Sequence, residues 1–517
     1  MHLFTGSPLA LKKQFLDTLE QLKQNPLEMV LVIIPSKHLE ARLKTELCQK
    51  LSCLAGVNFM PLGALASEIN NAAANPPLPL AEDTPLIDFK IKNLLNKNGF
   101  RANRNLAICF KNSFRDLINA EVTPEALAQV REDEDLILDE QKNYLKQFIP
   151  LYSKFLEIQK EPGKSTYKEF FVSAKENAAN NTFLNSFKSI IFYGFYDLTS
   201  LHFELVKAVI QNYSANTQIY LPYEKQLAYT FVEPVFNTLF LPLCKQHTKL
   251  ESEHNLIKTA AENIFTPGQK RTYDANIEII KVSGEGEVQA AAKEILKLHK
   301  EGFAYNEIAV TFRGEGGFNS KILEVFKQNQ IPVNYNFTFP LLQKPFAAFV
   351  YNLFNLESGN FAREEVLAVI NSPFFAFRQN AWADMIQRSG AECSITQFEE
   401  MLDDTSAQKQ TLIDTLKEIK AHLSLLKQAG SFESLAQKAK DFLLKYTAEQ
   451  AQTEQAEILA KITDILEVIS AYSKTQIQAQ KGEFLEEFFS LLKEATFNKV
   501  SATPAVQAAD IMTLRLQ

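Results

Sequence analysis

A glycine and a lysine near the amino terminus have the spacing of two phosphate-binding residues of ATPases. Phosphate loops follow the pattern G-x-x-x-x-G-K-[ST], in which backbone N–H groups surround the phosphates and the lysine contacts them. Gly6 and Lys12 occupy the first glycine and the lysine positions. Leu11 and Lys13, however, replace the second glycine and the Ser or Thr that holds Mg²⁺. The segment is either a nucleotide site with an incomplete motif or a plain strand-to-helix turn, and the departures favour the turn.

A second place for ATP chemistry is the end of the apolar run Ser189–Tyr193. ATP hydrolysis requires acidic or polar groups there that hold Mg²⁺ and orient the attacking water. Gly194 and Phe195 stand where an Asp-Glu pair would be needed, and Asp197 further along is better explained as a turn or helix-start residue. We therefore expect no ATP hydrolysis at this position.

Three groups of residues could contact DNA. Arg313 follows the apolar run Ile308–Phe312 and could pair with a phosphate of DNA or of a nucleotide, or lie free in a glycine-rich surface loop. Arg101 and Arg104 alternate with phenylalanines, a pattern suited to base stacking and phosphate neutralisation but also to an amphipathic helix with a solvated face. Pro35 and Ser36 form a loop after another apolar run, where we expect phosphate contacts.

Composition limits the remaining chemistry. The five cysteines and seven histidines lack metal-ligand spacing, so we expect no metal, no disulfide framework and no cofactor in this chain. The net charge of −7 excludes a protein covered in basic charge, although a local basic groove is compatible with it. Lys12 and Lys13 interrupt the segment where a signal peptide would be apolar, and no apolar run is long enough to span a membrane. We expect a cytoplasmic protein without a membrane partner.

Short apolar runs followed by helical patterns predict the elements that position these residues. Met29–Pro35 is typical of a strand buried on both faces of a parallel sheet, and a helix is predicted over 37–51. The same order recurs later in the chain. Further strands are predicted over 189–194, 217–221, 277–282 and 308–312, and further helices over 200–212, 287–300 and 319–330.

Two long regions are predicted to be helical. Thr84-Pro85 and Thr123-Pro124 are typical helix starts, and Gly99 is a helix stop. Residues 345–495 contain few strand patterns. Two apolar stripes with helical spacing predict packing faces there: Leu412, Leu416, Ile419, Leu423 and Leu426, and Ile462, Ile465, Leu466 and Ile469. The final segment 505–513 is predicted to return as a strand to the second sheet.

The fold class that follows is α/β and helix-rich, with two parallel-sheet domains that each carry a large helical insertion. The first domain comprises 1–80 and 180–270, and its insertion comprises 81–179. The second domain comprises 275–345 and 496–517, and its insertion comprises 346–495.

The succession of these segments resembles superfamily 1 helicases of the UvrD type, in which two RecA-like domains each contain a helical insertion. It resembles most closely the AddB/RexB-type subunit of bacterial helicase–nuclease complexes. The resemblance rests on residues 29–46, 57–69, 190–210 and 277–335 and on the final AVQAADIMTLR.

The resemblance implies an inactivated helicase fold that guides single-stranded DNA or a duplex end within a complex whose partner subunit hydrolyses ATP. Full-length relatives continue into a PD-(D/E)XK nuclease domain with Mg²⁺ and often an iron–sulfur cluster. No Asp … Glu-x-Lys set or cysteine cluster is present here, so we expect a chain that corresponds to the front of such a protein. Two alternatives stay open, an active ATP-dependent helicase and a module that binds only proteins.

Overall fold

The computed structural model describes residues 1–51, 54–81, 84–133, 138–160, 163–251, 278–313, 318–335, 338–402, 407–448, 453–475, 477–497 and 505–510. The chain forms two compact units. Unit 1 comprises Met1–Lys281 and unit 2 comprises Val282–Thr513.

Unit 1 is built on a six-stranded parallel sheet. Its strands are β1 (His2–Gly6), β2 (Val30–Ile33), β3 (Val57–Met60), β4 (Ser189–Tyr193), β5 (Thr217–Pro222) and β6 (Gln246–Lys249), in the order β3-β2-β4-β5-β1-β6. Every residue of β2 and β4 is buried, because helices cover both faces of the sheet. The continuous apolar runs of the sequence predicted both strands correctly.

Two helices cover one face of this sheet. They are α1 (Pro8–Leu22) and α2 (Lys37–Lys50). Leu39, Leu43 and Leu47 of α2 are buried in a core that also contains Phe15 of α1 and Tyr220 of β5. The helix predicted over 37–51 is confirmed, with the apolar side at the predicted positions.

The opposite face carries the remaining helices of unit 1. They are α3 (Leu62–Asn71), α4 (Pro85–Lys97), α5 (Arg104–Asn119), α6 (Pro124–Glu132), α7 (Asp139–Ile158), α8 (Tyr167–Glu176), α9 (Thr182–Asn185), α10 (Ser200–Asn212), α11 (Glu233–Val235) and α12 (Leu241–Leu243). The helices α4–α9 lie in the chain between β3 and β4. They therefore form a helical insertion within the order of the sheet strands.

Side chains at the helix starts explain several boundaries. The Thr123 hydroxyl accepts a hydrogen bond from the Ala126 N–H, and Pro124 occupies the first helical position of α6. Gly99 follows the end of α4 with a φ of 87°, a left-handed conformation that favours glycine. These starts and this stop are confirmed as predicted.

Unit 2 contains a three-stranded parallel sheet with the order β7-β13-β8. Its strands are β7 (Ala309–Phe312), β8 (Val333–Tyr335) and β13 (Val506–Asp510). The predicted return of the final segment is confirmed for Val506–Asp510, because β13 pairs with both neighbours, and residues 511–513 of the prediction lie outside the described residues. The helices α13 (Glu287–Lys300) and α14 (Phe318–Gln328) form a core with Val506 and Ala508 of β13.

The strand predicted over 277–282 is wrong for the part that the structure describes. Residues 278–282 form no strand, and Ile277 lies outside the described residues. The side chain of Ile279 is 93% exposed, and those of Ile280 and Val282 are 45% and 40% exposed. The segment is rich in β-branched residues, but it has no neighbouring strand to pair with among the described residues.

The rest of unit 2 is almost entirely helical. Its helices are α15 (Pro345–Asn355), α16 (Arg363–Ile370), α17 (Asn380–Ser389), α18 (Ile395–Met401), α19 (Ala407–Leu426), α20 (Phe432–Tyr446), α21 (Thr453–Ser470) and α22 (Glu483–Glu494). Short strand pairs join β9 (Phe339–Pro340) to β12 (Thr496–Phe497) and β10 (Gly430–Ser431) to β11 (Gln478–Ala479). The predicted stripe of α19 is buried throughout, as are Ile462, Leu466 and Ile469 of α21.

The expected fold class, α/β, helix-rich and with parallel sheets, is confirmed. No helix among the described residues is long and apolar enough to cross a lipid bilayer.

Candidate functional site

The turn between β1 and α1 decides whether a phosphate could be surrounded by backbone here. A phosphate loop lies between the strand and the helix, so its residues are not helical. In this chain β1 ends at Gly6 and α1 begins at Pro8, with Ser7 as the only connecting residue. The Ser7 hydroxyl accepts a hydrogen bond from the Ala10 N–H. Residues 8–13 are therefore helical and leave no loop that could wrap a phosphate.

Gly6 has a packing role in this turn. A Cβ atom at this position would lie 2.9 Å from the carbonyl oxygen of Leu250 and 3.1 Å from its Cβ. The Leu250 N–H donates to the Thr5 carbonyl at 2.7 Å, which fixes this close approach. The absence of a side chain at Gly6 is thus explained by the neighbouring backbone.

Lys12 lies in the second turn of α1 and binds a carboxylate. Its Nζ is 3.1 Å from Glu46 on α2, and Arg42 contacts the same carboxylate at 3.3 Å. The adjacent Leu11 is buried in the core between α1 and the sheet. This geometry matches the strand-to-helix interpretation of the segment.

The end of β4 contains no acidic pair. The Gly194 N–H donates to the Tyr220 carbonyl at 2.9 Å, and the φ of Gly194 is 79°. Phe195 is buried against Phe192 in the core beneath α10. Asp197 is exposed two residues later. A glycine and a buried ring therefore occupy the positions where carboxylates would bind Mg²⁺.

Pro35 and Ser36 lie at a point where the connections of the sheet diverge. After β2 the chain enters α2 on one face, whereas after the neighbouring β4 it enters α10 on the other face. In parallel sheets such a divergence opens a crevice in which ligands commonly bind. Pro35 is exposed there, and the Ser36 hydroxyl accepts a hydrogen bond from the Leu39 N–H.

The turn between α4 and α5 exposes positive charge. Lys97 and Arg101 are both exposed, and neither has an ion pair with the described residues. Asn96 holds the turn, because its side-chain oxygen accepts a hydrogen bond from the Ala102 N–H at 2.8 Å. Phe100 packs against Phe110, so the backbone between the two cations is fixed.

The position of Arg104 corrects the expectation that its side chain could contact DNA at the surface. Its guanidinium is buried and lies 2.7 Å from the Asp88 carboxylate on α4. The Lys111 Nζ approaches the other oxygen of Asp88 at 2.5 Å. Arg104 thus ties α5 to α4 inside the helical insertion and is not presented to a ligand at the surface.

Arg313 in unit 2 directly follows β7 and is exposed. The glycine-rich residues 314–317 after it lie outside the described residues. Its position at the carboxyl end of a parallel strand is the predicted one.

A groove that the sequence did not indicate lies at the carboxyl ends of β1, β5 and β6. Its volume is about 790 Å³. Its aromatic side is formed by Tyr223 and Phe236, whose rings stack at 4.3 Å. Its polar side includes His247 and the exposed Lys249. Gly6 borders the groove, so the glycine of the incomplete motif is the one predicted site residue at its edge.

Two imidazoles join β6 to β1 beside this groove. The Nε2 of His2 lies 2.8 Å from the Thr248 hydroxyl, and that of His247 lies 2.8 Å from the Thr5 hydroxyl. Burial lowers the pKa of both histidines. The amino-terminal ammonium and His247 further lower the pKa of His2, and Lys249 further lowers that of His247.

We expect the attachment of β6 to weaken as the pH falls. Both imidazoles are neutral above about pH 6.5 in the folded and unfolded chain, whereas below it the unfolded chain binds protons more readily. Stability is therefore lost as the pH drops through 6.5 towards the lowered folded values. Hydrogen exchange of the β6 amides, corrected for intrinsic rates, should show less protection at pH 5.5 than at pH 7.5. In a variant with His2→Gln and His247→Gln the difference should shrink, and equal protection at both pH values in the unaltered chain would contradict the expectation.

Metal ligands are not grouped in the described residues, where no cluster of three or more His, Cys, Asp or Glu side chains could hold an ion. Cys48, Cys109, Cys244 and Cys393 are free thiols.

Comparisons with known proteins identify no family. A scan against models of known protein families finds no match, and a search of curated proteins finds no significant similarity.

Proposed function

We propose that the chain is a helicase-like scaffold that guides single-stranded DNA at a double-strand end, within a recombinational repair complex whose partner subunit hydrolyses ATP. The order of the segments and the resemblance to AddB/RexB-type subunits motivate the proposal. The parallel sheet of unit 1, interrupted by a helical insertion between β3 and β4, supports it.

The observation that carries the proposal is the carboxyl end of β4. Gly194 and the buried Phe195 provide no side-chain oxygen ligand for Mg²⁺ and no side chain that activates water. The helical start at Pro8 removes the loop that would hold the phosphates. A chain with this arrangement would not drive movement along DNA by ATP hydrolysis of its own, and its contribution would be to position the strand.

DNA contacts would be made mainly with phosphates. Lys97 and Arg101 form a small cationic surface on the α4–α5 turn, and Arg313 forms a further cationic position in unit 2. The crevice beside Pro35 lies between diverging connections, where backbone can approach a ligand closely. Phosphate contacts of this type release counterions, so binding should weaken steeply with salt.

The test is the affinity for labelled single-stranded and forked DNA, measured by fluorescence anisotropy between 50 and 200 mM salt. Arg101→Ala should weaken binding to all sequences about equally and reduce the salt slope by about one unit. Arg388→Ala is the matched control, because Arg388 is exposed but pairs with Asp384 at 2.8 Å. The absence of salt-sensitive DNA binding, alone and with a partner subunit, would refute the proposal.

A second candidate is nucleotide binding without hydrolysis, and the groove beside Gly6 favours it. Lys225 and Lys249 border the groove without an ion pair among the described residues, and the stacked rings of Tyr223 and Phe236 offer an apolar wall. Glu224 and Glu251 also line it, so charge alone does not select an anion.

Two lysine variants separate this candidate from a phosphate-loop site. With a fluorescent ATP analogue, Lys249→Ala should weaken binding to the groove, whereas Lys12→Ala should leave it unchanged because Lys12 already binds Glu46. A DNA-stimulated ATPase rate that Lys12→Ala abolishes would instead support an active helicase.

A further inference from the structure

The helices α6 and α7 form a hairpin within the helical insertion. No side chain of α6 is buried, and the first buried side chain of α7 is Phe148, in its tenth position. The two helices pack on each other, and the carboxyl half of α7 contacts the core through Leu151, Tyr152 and Phe155. The part formed by residues 124–133 and 138–147, here called the hairpin arm, therefore carries no core of its own.

Large apolar side chains are exposed on the hairpin arm. Leu138 is 73% exposed, Tyr144 is 56% exposed and Val130 is 36% exposed. Leu127 and Leu145 are partly buried and pack against the main core of unit 1. Single exposed apolar side chains are common on protein surfaces, whereas a larger exposed apolar area often marks a site that binds another protein.

The charge around these side chains is negative. The hairpin arm, residues 124–133 and 138–147, contains five acidic and three basic side chains, a net charge of −2. Asp139 is almost fully exposed although Lys142 lies 3.6 Å from it, and Glu132 is largely exposed although Arg131 contacts it at 2.7 Å. DNA would be repelled by this sign of charge. A second copy of the same arm would be repelled as well, because an isologous contact places like charges opposite each other.

We propose that the hairpin arm docks a protein partner whose surface has an apolar centre surrounded by lysine and arginine. The exposed apolar side chains supply the buried centre of the contact, and the acidic side chains select a basic rim. The inference goes beyond DNA guidance and does not depend on it, because the arm lies on other elements than the cationic turn.

A pair of synthetic peptides tests the proposal with the full chain. The probe is a fluorescent 18-residue amphipathic helix of leucine and lysine, and its partner probe carries glutamate in place of lysine. The lysine peptide should bind, and the glutamate peptide should not. Leu138→Ser with Tyr144→Ser should weaken binding of the lysine peptide roughly tenfold, a factor that corresponds to about 1.4 kcal/mol. Asp139→Lys with Glu140→Lys should weaken it similarly and reduce its salt dependence.

The matched control is Leu444→Ser, which removes a leucine that is 55% exposed in unit 2. It should leave peptide binding unchanged, and circular dichroism should show that all variants keep their helical content. Binding that is unaffected by the arm variants, or equal binding of both peptides, would overturn the proposal. Self-association of the chain that disappears with Leu138→Ser would assign the arm to a second copy and would overturn it too. Loss of DNA binding with normal peptide binding would refute only the proposed function.

Discussion

Asp88→Asn is expected to lower the free energy of unfolding of unit 1 by about 3–5 kcal/mol. The substitution keeps the size of the side chain and removes only its charge. Few other single substitutions that leave the volume of the core unchanged should lower the free energy of unfolding by more.

The reason is the surroundings of Asp88 between α4 and α5. Three cationic side chains there are less than a tenth exposed: Lys92, Arg104 and Lys111. Asp88 binds two of them, Arg104 at 2.7 Å and Lys111 at 2.5 Å. A neutral amide can accept a hydrogen bond but cannot offset two buried positive charges, whose desolvation then opposes folding.

Urea unfolding followed by two signals can isolate the effect. The single tryptophan, Trp382, is buried in α17 and reports on unit 2, whereas hydrogen exchange of α4 and α5 reports on unit 1. The expected loss should appear in the exchange of α4 and α5, with little change in the tryptophan signal. Asp116→Asn is the control, because Asp116 is an exposed carboxylate on the same α5. Equal effects of the two substitutions would show that the buried ion pairs of Asp88 contribute no more to stability than an exposed carboxylate does.

Much of the fold could be predicted from local sequence because the central strands and the long helices have strong one-dimensional patterns. The strand β2 is a run of apolar residues that ends before Pro35, and all four of its residues are buried on a sheet covered on both faces. The helix α19 repeats leucine and isoleucine at helical spacing, and these positions face its core. In both cases neighbouring strands and helices cover the apolar residues, so the positions that the pattern predicts to be buried are buried.

The candidate site was harder to predict because its residues depend on partners that are distant in sequence. Gly6 resembles a phosphate-loop glycine. Its lack of a side chain is nevertheless required by the close approach of Leu250, which follows β6 directly and is distant from Gly6 in sequence. Arg104 alternates with aromatic residues as in a DNA-binding surface, but Asp88 on another helix holds it inside. Local spacing shows the residue types and gives no information about such contacts.

The strand predicted over 277–282 failed for a related reason. β-branched residues favour an extended backbone, but a strand exists only where a neighbour supplies hydrogen bonds. Residues 278–282 form no strand with any described neighbour, and Ile279 is almost fully exposed. By contrast, the final segment became a strand because β7 and β8 pair with it on both sides.

Ala508→Asp is expected to destabilise unit 2 by about 3 kcal/mol or more. Ala508 lies in β13, the central strand of the three-stranded sheet, and its side chain is buried against α13 and α14. A carboxylate at this position would lose its water without gaining a partner, and it would also exceed the space left by alanine. Because β13 is the strand that joins β7 to β8, the whole sheet should lose stability together.

The neighbouring residue provides a control on the same strand. Successive side chains of a strand point to opposite faces, and Gln507 is exposed while Ala508 is buried. Gln507→Asp places the same residue type, with the same low strand propensity, on the solvent side and should cost far less. Trp382 fluorescence in urea follows unit 2, and hydrogen exchange of β2 and β4 shows whether unit 1 is unchanged. If both substitutions shifted the tryptophan transition equally, the effect would come from strand propensity alone, and β13 would not be the buried centre of the second sheet.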